Sequence, residues 1–169
     1  MNLSHTQCKR LIDLAESKNK WDRIRGGSKT SYRTSIIELQ DRDVINRIEE
    51  YCKDRLKLNK VCSKIAIIKY LPGDNIQRHI DAGTDFEDKS DFVSSAVYNI
   101  NIRLNDEFEG GDFFLDDKLY AKPVGKIYHY DSDVYHEVKV VTKGVRYIAL
   151  VTISQSDIMK ETKVLNSII

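Results

Sequence analysis

The hydrophobic period changes once along this 169-residue chain, and that change restricts the folds open to it. Leu3 to Lys20 carries Cys8, Leu11, Ile12, Leu14 and Ala15 at helical spacing, with Ser4 as a candidate N-cap. Asp43 to Leu58 places Val44, Ile45, Ile48, Tyr51, Cys52 and Leu56 on one face, a second amphipathic helix. Between them, Trp21 to Lys29 reads as a polar loop broken at Gly26-Gly27, and Ser35 to Leu39 as a short strand.

From Val61 the helical period gives way to short β-rich runs. These are Lys64–Tyr70, Ile76–Asp81, Ser94–Leu104, Asp112–Leu115, Lys126–Tyr130, His136–Val141 and Arg146–Ile153. Turn signals separate them, among them Pro72-Gly73-Asp74, Gly110-Gly111, Pro123-Val124-Gly125 and Lys143-Gly144. Two helices followed by about seven strands predict a mainly β, α+β protein with its helices packed outside a sandwich or barrel. The strand number suits a jelly roll, and an up-and-down barrel fits the same pattern. There is no repeat and no low-complexity linker. The expectation is therefore one domain over 1–169, with 1–60 as helical N-terminal support and 61–155 as the β core.

Charge narrows the function classes. Lysine plus arginine number 27 and aspartate plus glutamate 26, so no global field favours nucleic acid or a membrane surface. The basic stretches at Lys53–Lys69 and Lys139–Arg146 read as solvated faces. No apolar run approaches the roughly 20 residues that span a bilayer, and Met1–Arg10 is polar, unlike a secretory signal. Cys8, Cys52 and Cys62 form no CxxC pair. A reduced, cytoplasmic protein without a cysteine-ligated metal is the expectation.

His79 and Asp81 stand two apart in a run that reads as a strand, where residues i and i+2 share a face. An imidazole beside a carboxylate begins a two-His, one-carboxylate facial triad, the donor set of non-haem Fe(II) sites. Four histidines are present, and His5 lies in the first helix, leaving His129 and His136 as candidates for the third ligand. Arg146 opens the apolar strand RYIALVTI, where a permanent charge needs an anion to offset its desolvation. A guanidinium takes a carboxylate bidentately, so beside such a triad Arg146 reads as the anchor of a carboxylate cosubstrate.

These residues fall into an ordered pattern: Tyr70-x2-Gly73-x5-His79-x-Asp81, then Leu104-Asn105-x2-Phe108-x-Gly110-Gly111, then Pro123-x-Gly125, then His136-x-Val138-x2-Val141-Thr142-x-Gly144-x-Arg146-Tyr147. Cys8-x2-Leu11-Ile12-x2-Ala15-Glu16 followed by Trp21 extends it to the N-terminal helix. The pattern resembles the Fe(II)/2-oxoglutarate-dependent dioxygenases, most closely their prolyl 4-hydroxylase-like branch, over nearly the whole chain.

The resemblance implies a double-stranded β-helix (jelly-roll) core. It implies His79, Asp81 and His136 as iron ligands and Arg146 on the distal carboxylate of 2-oxoglutarate, supported by the Tyr70 hydroxyl. Asn99, Asn101 and Arg103 alternate on a face that lines the cosubstrate pocket in this family, so Asn99 or Asn101 would donate to the bound acid. Arg103 would serve the acid or the prime substrate. Hydroxylation of a prolyl or other peptide side chain follows, using O2, giving succinate and CO2, with ascorbate as reductant.

Where the family often carries tyrosine three residues before the first iron histidine, this chain has Ile76, which leaves a free amino acid or small metabolite open as substrate. A demethylase of nucleic acid fits less well, since no second arginine follows shortly after Arg146. A jelly-roll binding module that has lost catalysis is the alternative from another class. Ala82–Asp91, directly after the His-x-Asp pair, reads as a lid or substrate loop. His129 falls outside the ligand positions and reads as core or channel lining.

Overall fold

The structure, a computed structural model, describes residues 1–25, 32–58, 63–81 and 96–158. The expected lid at Ala82–Asp91 lies outside the described residues. Among the described residues, α1 (His5–Lys18), α2 (Arg42–Leu56) and a helical turn at 155–158 accompany twelve strands. The strands are β1 (Asp22–Arg25), β2 (Tyr32–Leu39), β3 (Ile65–Tyr70), β4 (Asn75–His79), β5 (Ala96–Arg103) and β6 (Phe108–Gly110). They continue with β7 (Phe113–Leu115), β8 (Lys118–Leu119), β9 (Tyr128–Asp131), β10 (His136–Val138), β11 (Val141–Gly144) and β12 (Arg146–Ser154).

Both helices start as their sequences require. Ser4 accepts from the Gln7 amide at 3.2 Å and the Gln7 side chain accepts from the Ser4 amide at 2.8 Å, a reciprocal capping box. Asp41 caps α2 by accepting from the Val44 amide at 3.1 Å. The same Asp41 carboxylate takes the Arg10 guanidinium in a fork at 2.8 and 2.9 Å, which ties the first helix to the start of the second. Each helix ends in a left-handed residue, Asn19 and Lys57.

Residues 1–60 supply more than helices. Asp22–Arg25, expected to be loop, is a strand paired antiparallel to β2, with Asp22 opposite Ile36. Its sequence DRIR has no apolar alternation to betray it; the ladder hydrogen bonds offered by β2 make the strand. The second strand is longer than expected and sits inside the main sheet, between β3 and β4.

That sheet runs β8-β7-β10-β4-β2-β3-β12-β5-β9, with β1 on β2, and β6 and β11 form a separate pair. Every pairing among the described residues is antiparallel, and chain neighbours are often not sheet neighbours: β4 pairs with β10 and β3 with β12. The sheet rolls over on itself. Phe113 of β7, near one end of the order, has its ring 5.7 Å from that of Tyr130 of β9 at the other end. Two walls thus face one another across a cavity, which is the jelly roll.

Strand alternation sorts side chains between two interiors. Tyr147, Ala149, Val151 and Ile153 of β12 join Ile65, Ile67, Ile100 and Ile102 in the core beneath α1 and α2. Ile148, Leu150 and Thr152 line the cavity instead. The expected run His136–Val141 divides in two. After Val138 the chain leaves β4, and the Gly111 amide donates to the Val140 carbonyl as β11 begins pairing with β6. Among the described residues no helix is long and apolar enough to cross a membrane.

Candidate metal centre

His79 ends β4, and His136, which begins β10, is its direct partner in the ladder. The two imidazoles are therefore side by side, ring centroids 4.1 Å apart. Asp81 lies just past β4, in a bend rather than in the strand expected to reach it. Its amide donates to the Ser132 carbonyl at 2.9 Å, which holds the carboxylate on the face of His79. His79 Nε2 stands 3.2 Å from Asp81 Oδ1, and His136 Nε2 3.5 Å from Asp81 Oδ2. One donor atom from each residue lies within 4.8 Å of the others.

Backbone carbonyls orient both rings. His79 Nδ1 meets Gln77 O at 2.8 Å and His136 Nδ1 meets Val134 O at 3.0 Å. With the proton on Nδ1, each Nε2 presents its lone pair inward, the tautomer a metal ligand needs. Burial holds the His136 imidazole below its ordinary pKa against the pull of Asp81, which also favours the neutral ligand form. Burial by itself would raise the Asp81 carboxyl. Its polar contacts with His79 and His136 and the hydrogen bond from the Asn99 amide outweigh it and hold the group below its ordinary value. Two imidazole nitrogens and one carboxylate oxygen on one side of a cavity fit a divalent iron with coordination positions left open.

The centre lies in a cavity of about 280 Å³ whose walls are mostly apolar: Ile36, Ile68, Ile76, Ile148 and Leu150 among them. Tyr70, Asn101, Phe113 and Tyr130 also line it. The Asn101 Oδ1 is buried without a hydrogen-bond partner, and rotation of this amide would present a donor there in its place. The Tyr70 ring is fully buried, and the Arg146 guanidinium stacks over it at 4.8 Å. Arg146 is 4% exposed, its Nη1 has no hydrogen-bond partner, and it lines a second chamber adjoining the first.

The structure reassigns two of the expected contacts. Asn99, expected to donate to a bound acid, instead donates to Asp81 Oδ2 at 2.7 Å and accepts from the Thr152 hydroxyl at 2.9 Å, so its amide is committed. Arg103 points away from the metal cavity. Its Nε donates to its neighbour Asn105 O at 2.8 Å and its guanidinium lies over Phe108 at 4.9 Å. His129 bonds the Tyr51 hydroxyl at 2.9 Å, anchoring α2 to the sheet rather than ligating. The supporting roles of Thr152 and Ser132 were missed. The parity of β12, with 152 on the face of 146, was the signal available for the first; none marked the second.

Comparison with known proteins agrees with this architecture. The sequence profile of the poxvirus C4/C10 protein family matches residues 9–169. A PKHD-type hydroxylase of Aliarcobacter butzleri is 24% identical over 166 residues, covering 88% of this chain and 72% of that protein. Among solved structures, the viral collagen prolyl hydroxylase of Paramecium Bursaria Chlorella virus-1, in its 2-oxoglutarate complex, superposes with a TM-score of 0.66 at 18% identity, covering 89% of this chain and 91% of that one. The Pseudomonas putida prolyl 4-hydroxylase gives 0.64 at 15% identity, with 90% and 89% covered. The chain has the jelly-roll fold of these oxygenases, and it belongs to the poxvirus C4/C10 protein family.

Proposed function

We propose that this protein is an Fe(II)- and 2-oxoglutarate-dependent dioxygenase that hydroxylates a C–H bond of a prolyl or other peptide side chain. The observation that carries the reading is the convergence of His79 Nε2, His136 Nε2 and the Asp81 carboxylate within 4.8 Å at a cavity wall. Bound there, iron with 2-oxoglutarate supplies oxidative decarboxylation to succinate and CO2, coupled to transfer of one oxygen atom from O2 to the substrate.

The chain's own residues set the conditions for that chemistry. His79, Asp81 and His136 hold the metal, and Asn99 orients Asp81. Tyr70 and Arg146 take the distal carboxylate, where the unpartnered Nη1 offers a charged donor. Asn101 meets the same acid from β5. The apolar walls exclude water and favour an uncharged group at the reacting position, which supports a peptide side chain over a free amino acid with its two charges. The hydroxylases named above act in the same sense, and ascorbate would keep the iron reduced.

The test is turnover. Purified protein with Fe(II), ascorbate, O2 and 2-oxoglutarate is incubated with proline peptides and, separately, free amino acids. Succinate and the gain of one oxygen are read by mass spectrometry. Succinate from the wild type and none from His79→Ala or Asp81→Ala supports the reading. A gain of oxygen on free amino acids alone moves the substrate to small metabolites. No succinate with any substrate, together with tight binding of an organic ligand without iron, would make the protein a binding module.

A further inference from the structure

The apolar wall of the metal cavity has one polar interruption. Thr34 lines the cavity, is only 3% exposed, and its Oγ1 is buried with no hydrogen-bond partner among the described residues. A buried hydroxyl left unpaired costs free energy that a valine of the same shape would not. The cavity's other polar side chains already have work. Thr152 holds Asn99, Tyr70 and Asn101 are assigned to the cosubstrate, and the Tyr130 ring packs on His136 with centroids 5.0 Å apart.

The register of β2 places this hydroxyl. β2 pairs with β3 from Ser35 onward and with β4 through Tyr32 and Arg33, so Thr34 stands where it passes from one to the other. Alternation puts Thr34 on the face of Ile36, and both line the cavity. Ile76, the ladder partner of Tyr32, and Val138, the partner of Ile76, continue the same wall across β4 and β10. These are the strands that carry His79 and His136. The cosubstrate residues Tyr70, Arg146 and Asn101 come instead from β3, β12 and β5, on the other side of β2 in the sheet order. Thr34 therefore belongs to the wall that leads to the metal and that the cosubstrate leaves open.

The chemistry of this wall selects what can bind it. Among the described residues, Asp81 is the one acidic or basic side chain lining the cavity besides the two histidines, and all three are given to the metal. A carboxylate or ammonium laid on Ile36, Ile76 and Val138 would lose its hydration without a counter-charge. A hydroxyl both donates and accepts, so it answers either the C=O or the N–H of a neutral amide. We propose that Thr34 sets substrate specificity by hydrogen-bonding a backbone amide of the peptide whose C–H bond is oxidised, a role that rests on the dioxygenase reading above. A site built around such a bond discriminates against compounds that cannot make it, because the hydroxyl is then left unpaired.

The experiment uses full-length protein with Fe(II), ascorbate, O2 and 2-oxoglutarate. The probes are single amino acids capped as N-acetyl N-methylamides, each beside its free amino acid, with kcat and KM read from succinate and oxygen gain. Wild type is expected to oxidise a capped residue in preference to the free one. Thr34→Val should raise KM for that probe about fivefold or more and change kcat far less, since the lost bond is made in the ground state as well. Thr34→Ser, which keeps the hydroxyl, should restore most of the loss.

Two further measurements separate this role from others. The melting temperature of Thr34→Val should equal or exceed that of wild type, and a fall would place the hydroxyl's partner inside the fold and overturn the proposal. Weakened 2-oxoglutarate binding to Mn(II)-loaded Thr34→Val would give the hydroxyl to the cosubstrate and also overturn it. An unchanged KM in Thr34→Val, or no oxidation of any capped residue by wild type that binds 2-oxoglutarate, overturns the proposal and leaves the dioxygenase reading in place. Wild type that does not bind 2-oxoglutarate at all ends both.

Discussion

The Asn99 amide donates to Asp81 Oδ2 at 2.7 Å, and its carbonyl oxygen is held by the Thr152 hydroxyl at 2.9 Å. Asn99 is fully buried, so this chain fixes a carboxylate that would otherwise be free to rotate away from the two histidines. Partners of this kind affect metal affinity by about 10- to 100-fold. Asn99→Ala should therefore weaken Mn(II) binding within that range while leaving the secondary structure intact, and Thr152→Val should weaken it less. Metal titration followed by tryptophan fluorescence or calorimetry measures both. An unchanged metal affinity in Asn99→Ala would remove the residue from the site.

Two glycines in left-handed conformations separate backbone strain from steric clash. Gly73 has φ +90° with nothing within 4 Å of an added Cβ, whereas Gly125 has φ +78° and an added Cβ would stand 2.3 Å from the Leu3 carbonyl oxygen. That carbonyl belongs to the segment the Gly125 oxygen anchors by accepting from the Leu3 amide at 2.8 Å. Gly73→Ala should cost only the left-handed penalty, about 1–2 kcal/mol. Gly125→Ala must also displace backbone and should cost more, about 3 kcal/mol or above. Urea unfolding midpoints at unchanged slope check the order, and equal losses would contradict it.

Much of this centre was legible because strand parity is local. The spacing of two marked His79 and Asp81 as partners, although a bend after β4 and not strand parity completes their approach, and parity alone puts Arg146 on the same side of β12 as Ile148, Leu150 and Thr152. What stayed hidden depends on contacts distant in sequence. The polar residues of β5 are a case: Asn99, Asn101 and Arg103 share one face, yet one braces Asp81, one lines the metal cavity and one turns into the second chamber. Alternation places them on that face and cannot distribute them along it. The strand at Asp22–Arg25 escaped notice for a related reason, since its partner strand rather than its own pattern stabilises it.

Glu16 joins α1 to the sheet and makes stability depend on pH. It accepts from Lys69 Nζ at 2.7 Å and from the Tyr147 hydroxyl at 2.6 Å. Burial by itself would raise its carboxyl, and the bonds from Lys69 and Tyr147 outweigh this and hold it below its ordinary 4.5. A lowered folded-state pKa means stability that is complete above about pH 4.5 and lost as pH falls through the lower folded value. Glu16→Gln should remove that share of the acid-side slope and destabilise the protein at neutral pH. Denaturation midpoints at neutral pH and below pH 4.5 should differ less in the variant than in wild type. An unchanged difference would show that Glu16 does not contribute.

Tyr70 faces the metal cavity on β3, directly opposite Arg146 in the β3–β12 ladder. Its burial holds the phenol well on the protonated side, against the lowering pull of the Arg146 charge, so the hydroxyl is available as a donor at neutral pH. A hydrogen bond to a charged group is worth about 1.5–3 kcal/mol, or roughly tenfold or more in affinity. Tyr70→Phe keeps the ring beneath the guanidinium and deletes only the donor. It should raise the dissociation constant of 2-oxoglutarate about tenfold in Mn(II)-loaded protein without altering metal affinity. Arg146→Gln, which removes the charge as well, should raise it further. Calorimetric titration of the three proteins separates the outcomes: if Tyr70→Phe binds 2-oxoglutarate as wild type does, the tyrosine is a wall of the cavity and the carboxylate is held by Arg146 without it.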